Sequence, residues 1–160
     1  MEKDKATKER LLESARREFL EKGYMKASLR TICKNAGVTT GALYFFFQDK
    51  EDLLRELVEE PLGGLTALIR QHLSEEMEMG ANYPSAGPDS RDIRAAKEIV
   101  RFIYRYYDIF LILLSKSQGS RYENIVNYFA DLGEAHYKEM AAQMAARYGL
   151  PEPDRYIIHW

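Results

Sequence analysis

The chain has 160 residues, 46% of them apolar and 30% charged, with a formal net charge of −2, which is the balance of a globular protein with one domain, or two small ones, around a real core. No apolar run approaches the ~20 residues that span a bilayer, and the opening MEKDKATKER is too charged for a signal peptide. The single cysteine, Cys33, rules out an intramolecular disulfide framework and fits a reducing cytoplasm. The sequence contains no CxxC, no HExxH and no glycine-rich phosphate loop. His72, His136 and His159 are scattered, so neither a metal site nor a cofactor is expected. Charge is uneven: residues 1–55 carry 12 Lys+Arg against 9 Asp+Glu, and residues 56–160 carry 11 against 16. A mildly basic front and an acidic remainder suggest a polyanion as the partner of the front half.

The elements read as helices almost throughout, and the expected fold class is all-α. From Lys5 to Lys22, Leu11, Leu12, Ala15, Phe19 and Leu20 make one apolar face, and Gly23 is a natural stop. Ser28 stands at an N-cap position before Leu29. Leu29, Ile32, Cys33 and Ala36 then repeat at helical spacing up to Gly37. Thr39 can cap a second short helix carrying Leu43 and Phe46-Phe47. Asp49 can cap a third, long one, with Asp52 three residues on in a box-like position. Pro61 within that long helix predicts a kink or break, because it lacks an amide hydrogen and clashes with the carbonyl of Leu57. Gly63 and Gly64 follow it and add backbone freedom. Residues 80–90, GANYPSAGPDS, read as a surface loop. Arg91 to about Ser117 is strongly apolar, Gln118-Gly119-Ser120 makes a turn, and Arg121 to Tyr148 reads as a long helix ended by Gly149. The final PEPDRYIIHW reads as the start of another apolar helix that stops after about a turn and a half.

Ser28 to Phe47 has the geometry of a helix-turn-helix. Gly37 supplies the left-handed turn residue, Cys33 is a small residue where the two helices cross, and Val38, Leu43 and Phe46 or Phe47 can fill the wedge between them. The second helix opens Thr39-Thr40-Gly41-Ala42, and a helix of this kind presents its N-terminal end to the DNA major groove. Small residues allow close approach of the backbone. Threonine hydroxyls reach phosphates and their methyls can touch thymine, and Tyr44 can offer a hydroxyl.

These residues carry a resemblance. RLLESARREFLEKGYMKASL followed by RTICKNAGVTTGALYFFFQDKEDLL resembles the TetR family of bacterial transcriptional regulators over about residues 8–54. Gly23-Tyr24, Ala36-Gly37-Val38, Gly41, Leu43-Tyr44, Phe47 and Lys50-Glu51 stand at that family's spacings. Cys33 stands where alanine is usual, and Phe46 where histidine or tyrosine is common. The resemblance implies a three-helix DNA-binding domain over residues 1–49, with the helix-turn-helix at about 28–47, and a helical ligand-binding and dimerisation domain over 50–160 that lacks C-terminal helices. It further implies that Ser28, Thr39, Thr40, Tyr44 and Lys50 hold phosphates or bases, and that Gly41, Ala42 and Phe45 face the groove. Ser28 could equally be only a helix cap. Arg30 is a weaker candidate.

The later half is apolar and aromatic, and core packing explains most of it. A pocket for a small-molecule effector would draw on His72, Phe102, Tyr106, Tyr107, Phe110, Gln118 and Arg121. The expected function is a ligand-responsive regulator, most simply a repressor, that is cytoplasmic, homodimeric and bound to a double-stranded inverted-repeat operator. The alternative is a helical small-molecule-binding protein without DNA binding. Paired acids such as Glu59-Glu60 point apart on a helix and no nucleophile–base constellation is present, so an enzyme is not expected.

Overall fold

The computed structural model describes residues 2–79 and 91–151. The expected loop at 80–90 and the short helix after Pro151 lie outside the described residues. Within them every regular element is a helix: α1 Glu2–Lys26, α2 Leu29–Ala36, α3 Thr40–Phe46, α4 Lys50–Met79, α5 Arg91–Arg105, α6 Tyr107–Ser115 and α7 Ile125–Tyr148.

Local chemistry sets most of the boundaries. Gly23 interrupts α1 with φ 74 and ψ 162, as its position after the apolar stripe suggests. Ser28 caps α2 by accepting from Thr31 N–H at 3.4 Å. At the other end Gly37 adopts φ 66. Its N–H donates to Lys34 O and that of Val38 to Cys33 O, the paired bonds of a Schellman ending. Thr39 caps α3 through Ala42 N–H at 3.2 Å. Asp49 accepts from Asp52 N–H at 2.8 Å, and the Asp52 carboxylate reaches back to Gln48 N–H at 3.0 Å. That is a capping box displaced by one residue.

The structure defines three stretches more closely. The long helix does not break at Pro61: α4 runs through it from Lys50 to Met79. Pro61 is itself buried, as is Val58 one turn before it, so packing holds the turn whose hydrogen bond the proline removes. The apolar stretch from Arg91 is two helices, with Tyr106 (φ −112, ψ 34) between them. The last helix begins at Ile125, not Arg121. Before it, Ser120 N–H donates to Ser117 O, Glu123 N–H to Ser120 O and Ile125 N–H to Tyr122 O, a run of tight turns in which Gly119 takes φ 79.

The chain divides into two compact units, Met1–Gly64 with Ile103–Ile125, and Leu65–Phe102 with Val126–Trp160. The expected division at residue 49/50 falls inside the first of these. In the first unit α1 packs on α2, α3 and α6. Leu11, Phe19, Ile32, Leu43, Phe47, Leu53, Leu54, Ile112 and Leu113 are essentially buried there, each contributing about 1.5–3 kcal/mol of apolar burial. In the second unit α4 beyond Gly64, α5 and α7 bury Leu65, His136 and Ala145.

Two glycines separate backbone need from mere smallness. A Cβ on Gly63 would meet nothing within 4 Å. Gly63→Ala is therefore expected to stabilise the protein by about 0.5–1 kcal/mol. Gly37→Ala must adopt φ 66 and is expected to destabilise it by about 1–2 kcal/mol. Urea unfolding of both variants checks the opposite signs.

Candidate nucleic-acid interface

The helix-turn-helix is held from below by α1. Ser14 Oγ on α1 donates to Ile32 O at 2.9 Å within the core. Glu18, also on α1 and 6% exposed, accepts from the Ser28 N–H at 3.2 Å. This places a carboxylate at the N-terminal end of α2, where the helix dipole favours it. Neither residue stands out in sequence, because each acts on backbone ten or more residues away. Cys33 lies buried at the α2–α3 junction. Burial pushes its thiol pKa up, and a hydrogen bond from the Thr40 side chain partly opposes the rise.

Upon that base α3 divides sharply. Leu43 is 0% and Phe47 2% exposed, whereas Tyr44 and Phe45 are 56% and 77% exposed. Phe45 packs edge-on against half-buried Phe46, with ring centroids 5.0 Å apart, and Phe46 leans on Phe47. The buried aromatic thus anchors the exposed one. Thr39, Thr40 and Gly41 are exposed and Ala42 is half-buried. The predicted set from Thr39 to Phe45 is therefore collected on one short, largely exposed helix. Half-buried Ser28 is occupied as the α2 cap.

Lys50, expected to hold a phosphate, has backbone partners within the protein. Its ammonium donates to Tyr24 O at 2.7 Å and to Met25 O and Ala27 O at 3.3 Å. It also sits 4.5 Å from the centre of the Tyr24 ring, within range of a cation–π attraction. A cation in the first turn of α4 opposes that helix's dipole, and the carbonyls at the end of α1 give it compensation. Beside it, Glu51 accepts from Tyr24 OH at 2.6 Å and from Arg121 N–H at 3.1 Å, and pairs with Arg121 Nε at 3.2 Å. Burial, then the Glu51 hydrogen bond, raises the Tyr24 phenol pKa well above its ordinary value, so it is a protonated donor at neutral pH.

The seven residues expected to line an effector pocket divide between the two units. Phe110 is buried in the first unit, and Tyr106 sits at the start of α6. Tyr107 is 54% exposed and stacked on Tyr104. Gln118 is exposed in the turn, and Arg121 is paired with Glu51. His72 and half-buried Phe102 belong to the second unit. There His72 joins Gln71, Arg91, Arg94 and Ile99 around a cavity of about 250 Å³.

The capped pair α2–α3, packed on α1 with an exposed second helix, defines a helix-turn-helix protein. Comparison with known proteins is specific about the kind. The profile described as "Bacterial regulatory proteins, tetR family" matches residues 11–57, so this segment is similar to that family's regulatory proteins. It is 38% identical over 79 residues to the HTH-type transcriptional regulator AcrR of Shigella flexneri, covering 49% of this chain and 33% of that protein. It is 42% identical over 52 residues to the HTH-type transcriptional repressor BepR of Brucella suis, covering 32% and 25%. The matched segment thus spans about a third of the length of the first of these relatives and a quarter of the second. Among solved structures the chain resembles the TetR family transcriptional regulator PfmR of Thermus thermophilus, with a TM-score of 0.58 and 25% identity over 92% of this chain and 76% of that one.

The Lys50 geometry makes a separable prediction. Lys50→Met keeps the stem and removes the charge, leaving the carbonyls of Tyr24, Met25 and Ala27 without their shared donor. A loss of about 1.5–3 kcal/mol in unfolding free energy is expected. A purely phosphate-binding lysine would leave chemical denaturation unchanged.

Proposed function

We propose that the protein is a ligand-responsive transcriptional regulator, acting as a repressor, that binds a double-stranded inverted-repeat operator as a homodimer in the cytoplasm. The observation that carries this reading is α3 itself, with Leu43 and Phe47 buried as anchors while Tyr44 and Phe45 stand exposed beside Thr39, Thr40 and Gly41. Such a helix end, slim and fringed with hydroxyls, suits the major groove. The match of residues 11–57 to the tetR-family profile and the description of one relative as a repressor support the regulatory part. No helix among the described residues is long and apolar enough to cross a membrane. The cavity beside His72 in the second unit is a candidate place for an effector, near the lower end of the volumes that hold small ligands.

On this reading the contacts divide. Tyr44 and Thr39 offer hydroxyls to phosphates, which carry no sequence information. Gly41, Ala42, Thr40 and Phe45 meet base edges and methyl groups. Lys50 and Ser28 hold the scaffold that presents them.

The test is a gel-shift titration on duplex DNA from the region upstream of the protein's own gene, at several salt concentrations. Specific affinity is expected to fall linearly with salt on logarithmic axes, as phosphate neutralisation releases counterions. Tyr44→Phe is expected to weaken operator and random duplex alike, by roughly threefold to tenfold, since a net hydrogen bond is worth about 0.5–1.5 kcal/mol. Gly41→Leu is expected to remove the preference for operator while sparing weak non-specific binding. A preference that survives Gly41→Leu would overturn the assignment of α3.

A further inference from the structure

We propose that His72, Glu76 and Asp92 form a binding site for a first-row divalent metal ion of the zinc type, with His136 as the positioning residue that orients Glu76. All four side chains belong to the second unit. His72 and Glu76 lie one turn apart on α4 and so share a face. Asp92 opens α5, and His136 comes from the middle of α7.

The distances favour an ion over a simple hydrogen-bonded cluster. His72 Nε2 lies 3.8 Å from Glu76 Oε1 and 3.9 Å from Asp92 Oδ1. Both are too long for hydrogen bonds. The three ligand atoms all fall within 4.8 Å of one another. Ligands bound at about 2.0–2.1 Å in tetrahedral geometry stand roughly 3.3–3.5 Å apart, so the set needs to close only by roughly an ångström. Glu76 is already turned for the purpose. Its Oε2 is 2.9 Å from His136 Nε2, which leaves Oε1 facing His72. Carboxylate ligands around a bound metal are themselves hydrogen-bonded, and His136 supplies that bond to Glu76. The side chains of His136 and Glu76 are 7% and 12% exposed, so this pair is fixed within the unit. Asp92 is 49% exposed, so an ion has a route in.

The donor set also selects the metal. One imidazole and two carboxylates, without a thiolate, suit zinc, cobalt, nickel or manganese better than copper(I), calcium or magnesium. Three protein ligands leave a fourth position for water or an exogenous group. The cavity beside His72, lined also by Arg91 and Arg94, would admit an anionic one. The site needs no DNA to be detected, so it stands or falls apart from the regulatory reading.

The test uses the full chain, stripped with a chelator and titrated with zinc(II) by calorimetry and with cobalt(II) by visible absorption. One ion per chain is expected, with the d–d bands of a low-coordinate cobalt site and a raised unfolding midpoint. His72→Ala and Asp92→Asn are each expected to lower affinity at least tenfold while leaving the helical circular dichroism intact. His136→Phe should lower it by about 10–100-fold, as losses at supporting partners do. The absence of saturable binding would overturn the proposal, and so would binding that His72→Ala and Asp92→Asn leave unchanged.

Discussion

The first turn of α4 is where the first unit is tied together. Lys50 and Glu51 are neighbours in sequence with opposite charges, and both act on Tyr24. The ammonium takes the carbonyls that close α1, and the carboxylate takes the phenol and the backbone and guanidinium of Arg121. Tyr24 N–H in turn donates to Lys116 O at 2.8 Å, at the end of α6. One tyrosine therefore connects α1, α4 and the turn after α6 through charged or backbone partners. Hydrogen bonds to charged groups are individually stronger than neutral ones, and this clamp fixes the floor on which α2 and α3 rest.

The division of α3 into anchor and face follows from that floor. A seven-residue helix has little stability of its own, so its conformation comes from burying Leu43 and Phe47 and from caps at both ends. With the inward side committed, the outward side is free to carry residues that contribute nothing to folding. Phe45 is left 77% exposed on that outward side, next to 56%-exposed Tyr44. Its partner Phe46 and the buried Phe47 hold its orientation. The four successive aromatics Tyr44 to Phe47 thus serve two ends, with the first pair facing outward and the last buried.

What the sequence made legible was local. Ser28, Gly37, Thr39 and Asp49 act on backbone within a few residues of themselves, and all four occupy the capping or turn positions that their chemistry predicts. The partners of Lys50 and Arg121 within the protein were not legible, because they lie 26 and 70 residues away. The break at Tyr106 was not legible, because the run from Phe102 to Phe110 carries no glycine or proline to mark it. The histidines give the clearest case. His72 and His136 look scattered along the chain, yet folding brings both to the one carboxylate of Glu76, at 3.8 and 2.9 Å.

The central claim is that α3 is the surface that meets DNA, and site-specific photocrosslinking measures it most directly. A benzophenone side chain at Phe45, which is exposed and does not support the core, should crosslink to bases of a bound operator duplex on irradiation. The same probe at Tyr137, exposed on α7 of the second unit, should give none. Crosslinking from Tyr137 with none from Phe45, in protein that still shifts the duplex, would contradict the account.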